Sequence, residues 1–176
     1  DQKNDFIKET KDAVSEYYPK IKDNDDYTSI INESHYNRLK DMIDDAIEKG
    51  ATVEEINPAN EDFSQQEFYK IPPTIVSNTT DDMKIMQEEI FGPLLPVVEY
   101  DEIDEATQLI NSKDRPLGLY YFGNDKTEEN NLLNKTSSGG VTVNNVISHL
   151  QQNDLSFGGV GPSGMGRYKS FEGFKN

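Results

Sequence analysis

The 176-residue chain has no cysteine, which excludes a disulfide framework and a thiolate metal site and agrees with a reducing compartment. Basic side chains are scarce: 17 Lys and Arg stand against 33 Asp and Glu, a formal net charge of −16. Binding a phosphate backbone needs clustered cations, so nucleic acid is not an expected partner. The acidity reads as a solvated surface. No apolar run approaches the roughly 20 residues that cross a bilayer, and Asp1-Gln2-Lys3-Asn4-Asp5 lacks the apolar stretch of a signal peptide. The expectation is a soluble, cytoplasmic protein with no membrane partner. His35 and His149 are the only histidines and stand far apart. With no carboxylate or thiolate at ligand spacing, no metal site is expected. Asp23-Asn24-Asp25-Asp26 resembles the start of a calcium loop, but no glycine stands at loop position six and Ser34 occupies position twelve, where a glutamate belongs.

Length makes one domain the default. Phe6, Ile7, Thr10, Val14 and Tyr17 recur at helical spacing until Pro19, and Tyr36, Leu39, Met42, Ile43, Ala46 and Ile47 mark one face of a second helix over 33–49. The other face of that helix is charged, and Gly50 is placed to stop it. Short strands are expected over 51–56 and 71–76, with one or two helical turns over 81–89 ended by Gly92-Pro93. Then comes a regular alternation: strand 94–100, helix 102–111, strand 117–122, helix 126–134, strand 140–145. Strands alternating with helices over short connections give an α/β fold, a parallel sheet with helical crossovers. Asp101 is the expected N-cap of the helix over 102–111.

Glycines at 158, 159, 161, 164 and 166 cannot sit in a regular element at ordinary cost. They describe a C-terminal loop that turns sharply or approaches something closely. Gly159-Val160-Gly161-Pro162-Ser163-Gly164 matches G-x-G-x-x-G, but Gln151-Gln152-Asn153-Asp154 precedes it where a dinucleotide-binding loop needs a strand. Ser137 and Ser138 precede Gly139-Gly140 and form no nucleophile elbow. Glu88 and Glu89 are adjacent and point in different directions on a helix, so they are no catalytic dyad. They read either as a solvated helix end or as a carboxylate on a fixed turn, accepting hydrogen bonds from a vicinal diol beside the apolar wall of Phe91. Tyr120 and Tyr121 lie in a strand, where core packing explains them as well as ligand contact does.

Several of these segments resemble, in the same order, the aldehyde dehydrogenase family: Glu88-Glu89-Ile90-Phe91-Gly92-Pro93, Arg115-Pro116-Leu117-Gly118-Leu119-Tyr120-Tyr121-Phe122, Ser138-Gly139-Gly140-Val141-Thr142-Val143-Asn144-Asn145 and the glycine loop from Phe157 to Tyr168. Asp26-Tyr27-Thr28-Ser29-Ile30-Ile31-Asn32 and the helix after it look like the coniferyl aldehyde dehydrogenase group, related to the class 3 enzymes. The resemblance covers nearly the whole chain. It implies NAD or NADP as cofactor, with Glu89 on the nicotinamide-side ribose hydroxyls and Phe91 helping to position the nicotinamide. It places Phe157 in the lining of the aldehyde pocket and Asn144 near it. The family reaction oxidises an aldehyde to a carboxylic acid through a cysteine thiohemiacetal and a thioester, since a thiolate is a strong nucleophile near neutral pH.

In that family the catalytic cysteine, the glutamate base, the oxyanion asparagine and most of the cofactor-binding fold lie upstream of the part represented here. Residues 1–176 are therefore expected to be the C-terminal part of the catalytic domain, inactive alone, with no catalytic residue of their own. The full-length enzyme would be a homodimer acting on a small-molecule aldehyde, coniferyl or another aromatic one. Ser156, Asn145 and Lys169-Ser170 depart from the residues usual at those places. The competing expectation is a non-catalytic binding or interaction module that kept the family's α/β layer.

Overall fold

The computed structural model describes residues 2–175, without the side chain of Glu172. Where length alone suggests one core, the described chain divides into two compact units, one ending at Glu99 and the other beginning at Tyr100. The fold is α/β, as the alternating pattern implies.

The first unit opens with helix α1, Gln2–Tyr17. Of its expected apolar face only Ile7 is buried, with Val14 packed beside it, whereas Phe6 and Tyr17 are exposed. Helix α2, Glu33–Glu48, is capped by Asn32, whose side chain accepts from the His35 N–H at 2.9 Å. At its other end Gly50, at φ +90°, donates to the Ile47 carbonyl, and Ala51 donates to that of Ala46. These two bonds reverse the chain in the manner that only glycine permits at low cost. Leu39, Met42 and Ala46 from α2 meet Ile71, Val76, Met83, Ile85 and Leu94 in the main core. Strands β1, Thr52–Glu55, β2, Thr74–Ser77, and β3, Leu94–Val97, form a sheet in that order. The pair β2 and β3 is parallel, joined through the short helix α3, Lys84–Gln87, while β1 runs antiparallel to β2. All four residues of β2 are buried, as befits a middle strand.

The second unit holds helix α4, Ile103–Ser112, strand β4, Gly118–Tyr121, helix α5, Lys126–Lys135, and strand β5, Gly140–Val143. Strands β4 and β5 are parallel, Gly118 opposite Gly140 and Tyr121 opposite Val143, which makes β4-α5-β5 a crossover unit. Asp125 caps α5, its carboxylate accepting from the N–H groups of Thr127 at 2.8 Å and Glu128 at 3.1 Å. Asp101 does not cap α4. The residue at that position is Glu102, without a side-chain cap, and Asp101 instead donates its own N–H to Glu105 Oε2 at 3.3 Å. The unit ends with the short helix α6, Ser148–Gln151, a single 3-10 turn at Gly161–Ser163, and helix α7, Ser170–Lys175.

Candidate functional site

Two groups of candidate residues lie in separate units. In the first unit, Glu89 and Phe91 stand on the turn between α3 and β3. This turn is irregular: Phe91 has φ +45°, and a Cβ on Gly92 would lie 2.4 Å from Leu39 Cδ1, so the backbone rests directly on a buried side chain of α2. Arg38, on the charged face of α2, reaches the turn. Its Nη1 donates to the Glu89 carbonyl at 3.0 Å, its Nη2 to the Ile90 carbonyl at 2.5 Å, and Nη1 lies 3.6 Å from Glu88 Oε2. Among the described residues, the backbone of 89–92 makes no other hydrogen bond. The Glu89 carboxylate is exposed and, among the described residues, takes no hydrogen bond or ion pair. Glu88 is thus engaged by the arginine while Glu89 is left free. The Phe91 ring is 72% exposed and borders a cavity of about 470 Å³ lined also by Tyr18, Tyr27, Ile31 and Pro93. A free carboxylate can accept hydrogen bonds from a diol, and an exposed aromatic ring can pack against a flat heteroaromatic one; Glu89 and Phe91 offer these two groups two residues apart on the turn.

In the second unit, Phe157 borders a mostly apolar cavity of about 280 Å³ with Leu117, Tyr120, Ile147, His149 and Leu150. The His149 ring lies between Tyr120 and Phe157, with centroids at 5.9 and 6.1 Å, and His149 Nδ1 is 2.8 Å from Thr142 Oγ1 on β5. Gly140 makes room for this ring, since a Cβ there would lie 2.4 Å from His149 Cδ2. His149 is thus packed into the wall of this cavity. Tyr120 faces the cavity, whereas Tyr121 is buried and donates its hydroxyl to Glu128 at 2.8 Å, a bond that pushes its pKa up to about 12. Asn144 follows β5 at φ +53°, and its side-chain amide is spent on Gly123, accepting from its N–H and donating to its carbonyl.

The glycine loop closes on itself. Phe157 and Tyr168 exchange two backbone hydrogen bonds of 2.8 Å each. A Cβ on Gly158 would lie 2.3 Å from the Gly166 carbonyl oxygen, and one on Gly159 would lie 2.2 Å from that of Ser163. Ser163 Oγ accepts from the Val160 N–H at 2.8 Å. Close approach explains Gly158 and Gly159, and what they approach is the loop's own main chain, whereas Gly161, Gly164 and Gly166 sit at positive φ. No strand leads into the G-x-G-x-x-G segment, only α6 and an irregular stretch. The loop is not a dinucleotide-binding fingerprint.

Comparison with known proteins gives the family. Residues 1–176 match the aldehyde dehydrogenase family. The chain belongs to that family. It is 58% identical over 170 residues to a probable coniferyl aldehyde dehydrogenase of Caulobacter vibrioides, covering 97% of this chain and 35% of that protein. It is 39% identical over 178 residues to the dimeric NADP-preferring aldehyde dehydrogenase of Rattus norvegicus, covering 98% of this chain and 37% of that one. Among solved structures, the substrate-bound state of Staphylococcus aureus AldH superposes with a TM-score of 0.84 at 35% identity, over 98% of this chain and 36% of that one. A C291A mutant of aldehyde dehydrogenase C from Pseudomonas syringae, complexed with NAD+ and octanal, superposes with a TM-score of 0.69 at 30% identity, over 82% and 29% of the two chains. The chain spans about a third of the length of the curated relatives it matches.

Arg38 is the site residue that sequence reasoning missed. It appears there only as one charge on the polar face of a helix, and only its position next to the buried Leu39 hints that it turns toward a neighbouring segment.

Proposed function

We propose that residues 1–176 are the C-terminal part of the catalytic domain of an NAD(P)-dependent aldehyde dehydrogenase that oxidises coniferyl or another aromatic aldehyde to the carboxylic acid. The observation that carries this reading is the exposed Glu89 carboxylate, unpartnered among the described residues, on the same turn as Phe91, with the carbonyls of that turn held by Arg38. Glu89 would accept hydrogen bonds from the ribose hydroxyls of the cofactor, and Phe91 would offer its face to the nicotinamide. When bound, the cofactor supplies the electron-pair acceptor for the oxidation. Phe157 would border the aldehyde pocket. Asn144, committed to Gly123, would support that wall through the backbone.

The nucleophilic thiolate belongs, in this reading, to a part of the protein outside the given sequence, and the isolated chain has no turnover. The likeness to a coniferyl aldehyde dehydrogenase supports an aromatic substrate, and the apolar, aromatic lining beside Phe157 suits a planar ring. The dimeric rat relative supports a homodimeric enzyme. No described helix is long and apolar enough to cross a membrane, which accords with a cytoplasmic enzyme.

The test is NAD(P)H formation by the full-length gene product with coniferyl aldehyde and a set of aliphatic aldehydes, beside Glu89→Gln. Turnover that favours the aromatic substrate and falls in the variant is expected. No turnover with any aldehyde would leave the non-catalytic module as the better reading.

A further inference from the structure

We infer that Arg38 is a positioning residue for the cofactor-side turn, and that it sets which of the two adjacent glutamates is offered to the cofactor. The inference rests on the proposed role of Glu89. A turn that presents a carboxylate to a diol must hold its backbone still, because the hydrogen bonds to a ribose are directional. This turn has little to hold it. Phe91 is in the left-handed region, where a non-glycine residue is unfavourable, and the N–H groups of 89–92 donate no hydrogen bond among the described residues.

Two features fix it. Gly92 sits against Leu39, and the guanidinium of Arg38, the preceding residue of α2, forks onto the carbonyls of Glu89 and Ile90. A planar guanidinium presents donors on two nitrogens in a fixed fork, a geometry that the single ammonium nitrogen of a lysine on its flexible stem does not reproduce. The same guanidinium draws in Glu88, 3.6 Å away. That ion pair keeps one carboxylate turned to α2 and leaves its neighbour unpaired. Arg38 donates to the main chain of Glu89 and not to its carboxylate, so it fixes the position of the acid without neutralising it.

The experiment uses the full-length enzyme in five forms: wild type, Arg38→Met, Glu89→Gln, the double variant of these two, and Arg38→Lys as the conservative control. Arg38→Met is expected to raise KM for NAD(P)+ on the order of tenfold, about the effect of losing a charge-assisted hydrogen bond, while KM for the aldehyde stays near wild type. Arg38→Lys should recover only part of the loss. In the double variant the two effects should fail to add, because Arg38 acts through the acid that Glu89→Gln has already altered. A purely structural arginine would lower the thermal midpoint and the fraction of active enzyme while leaving KM for the nucleotide unchanged, and that result overturns the inference. So does strict additivity of the two variants. If Glu89→Gln itself leaves nucleotide binding unchanged, the assignment of Glu89 fails first, which separates that failure from one of Arg38 alone.

Discussion

The side-chain amide of Asn144 and the peptide unit of Gly123 form a closed pair, with N–H to Oδ1 and Nδ2–H to carbonyl both at 2.9 Å. The pair joins the ends of the two parallel strands β4 and β5, beside the backbone hydrogen bond from the Asn144 N–H to the Tyr121 carbonyl at 2.7 Å. Asn144 is also left-handed, at φ +53°, a conformation that asparagine tolerates better than most residues.

Asn144→Ala loses both hydrogen bonds and puts a Cβ-bearing residue without local compensation at positive φ. A loss of about 2–4 kcal/mol is expected from two net hydrogen bonds and the left-handed cost. Asn144→Gly keeps the backbone relaxed and should lose less. Urea unfolding of the intact protein compares the two. A direct substrate contact would instead change KM equally in both with no such ordering of stability.

Gly159 and Gly166 differ in why they are glycine. A Cβ on Gly159 meets main-chain atoms of Ser163 and Gly164 at 2.2 to 2.5 Å, whereas one on Gly166 meets nothing within 4 Å and the residue has φ +78°. Gly159→Ala should therefore destabilise by about 3 kcal/mol, as overpacking does, and Gly166→Ala by about 1–2 kcal/mol from the left-handed backbone alone. Limited proteolysis across the loop should open Gly159→Ala first.

Lys70 is 7% exposed, and its ammonium donates to the carbonyls of Ile21 at 3.2 Å and Asn24 at 2.7 Å. Lys70→Met would leave both acceptors without their cation and cost about 1–3 kcal/mol. Hydrogen exchange should report faster opening of residues 20–27, and unchanged protection there would count against this role.

Asp45 joins α2 to the start of α3. Its carboxylate accepts from the Lys84 N–H at 2.8 Å and pairs with Lys49 at 2.9 Å. The backbone hydrogen bond first, and the Lys49 side chain second, hold its pKa below the usual carboxylate value. A depressed folded pKa gives stability that is complete above the unfolded value near ~4 and is lost as pH falls through the folded one. Asp45→Asn should make the acid limb of the stability curve shallower, as followed by thermal midpoints from neutral pH downward.

Much of this architecture can be read from residue pattern. The alternation from Leu94 to Asn145 gives β3, α4, β4, α5 and β5 because each element carries its own periodicity and the connections are short. The end of α2 is legible as well, since Gly50 answers a local need for positive φ. What is hidden depends on partners distant in sequence. Phe6 and Tyr17 keep helical spacing yet lie exposed, because α1 packs on Ile56 and Ile75 through only Ile7 and Val14. The antiparallel direction of β1 depends on how the irregular stretch from Asn57 to Pro73 returns, and no motif there announces it. Asp101 has the side chain of a cap, but the helix begins one residue later than that role requires. Of the site residues, Glu89 and Phe91 lie inside a recognisable motif. Arg38 acts from 51 residues away, on main-chain carbonyls and a flanking acid of the turn, so beyond its place next to Leu39 its own stretch of sequence does not mark it.

The loop closed by Phe157 and Tyr168 draws its shape from main chain resting on main chain. At its tip Met165 is 97% exposed, so the side chain there can drift with little consequence. Length cannot. One residue inserted between Phe157 and Gly159, or one removed between Ser163 and Gly166, would take Gly158 and Gly159 out of register with the carbonyls they pass within van der Waals reach of. The constraint inherited along this stretch is thus a count of residues, and tolerance to substitution at the tip should coexist with intolerance to single-residue insertions or deletions at its base.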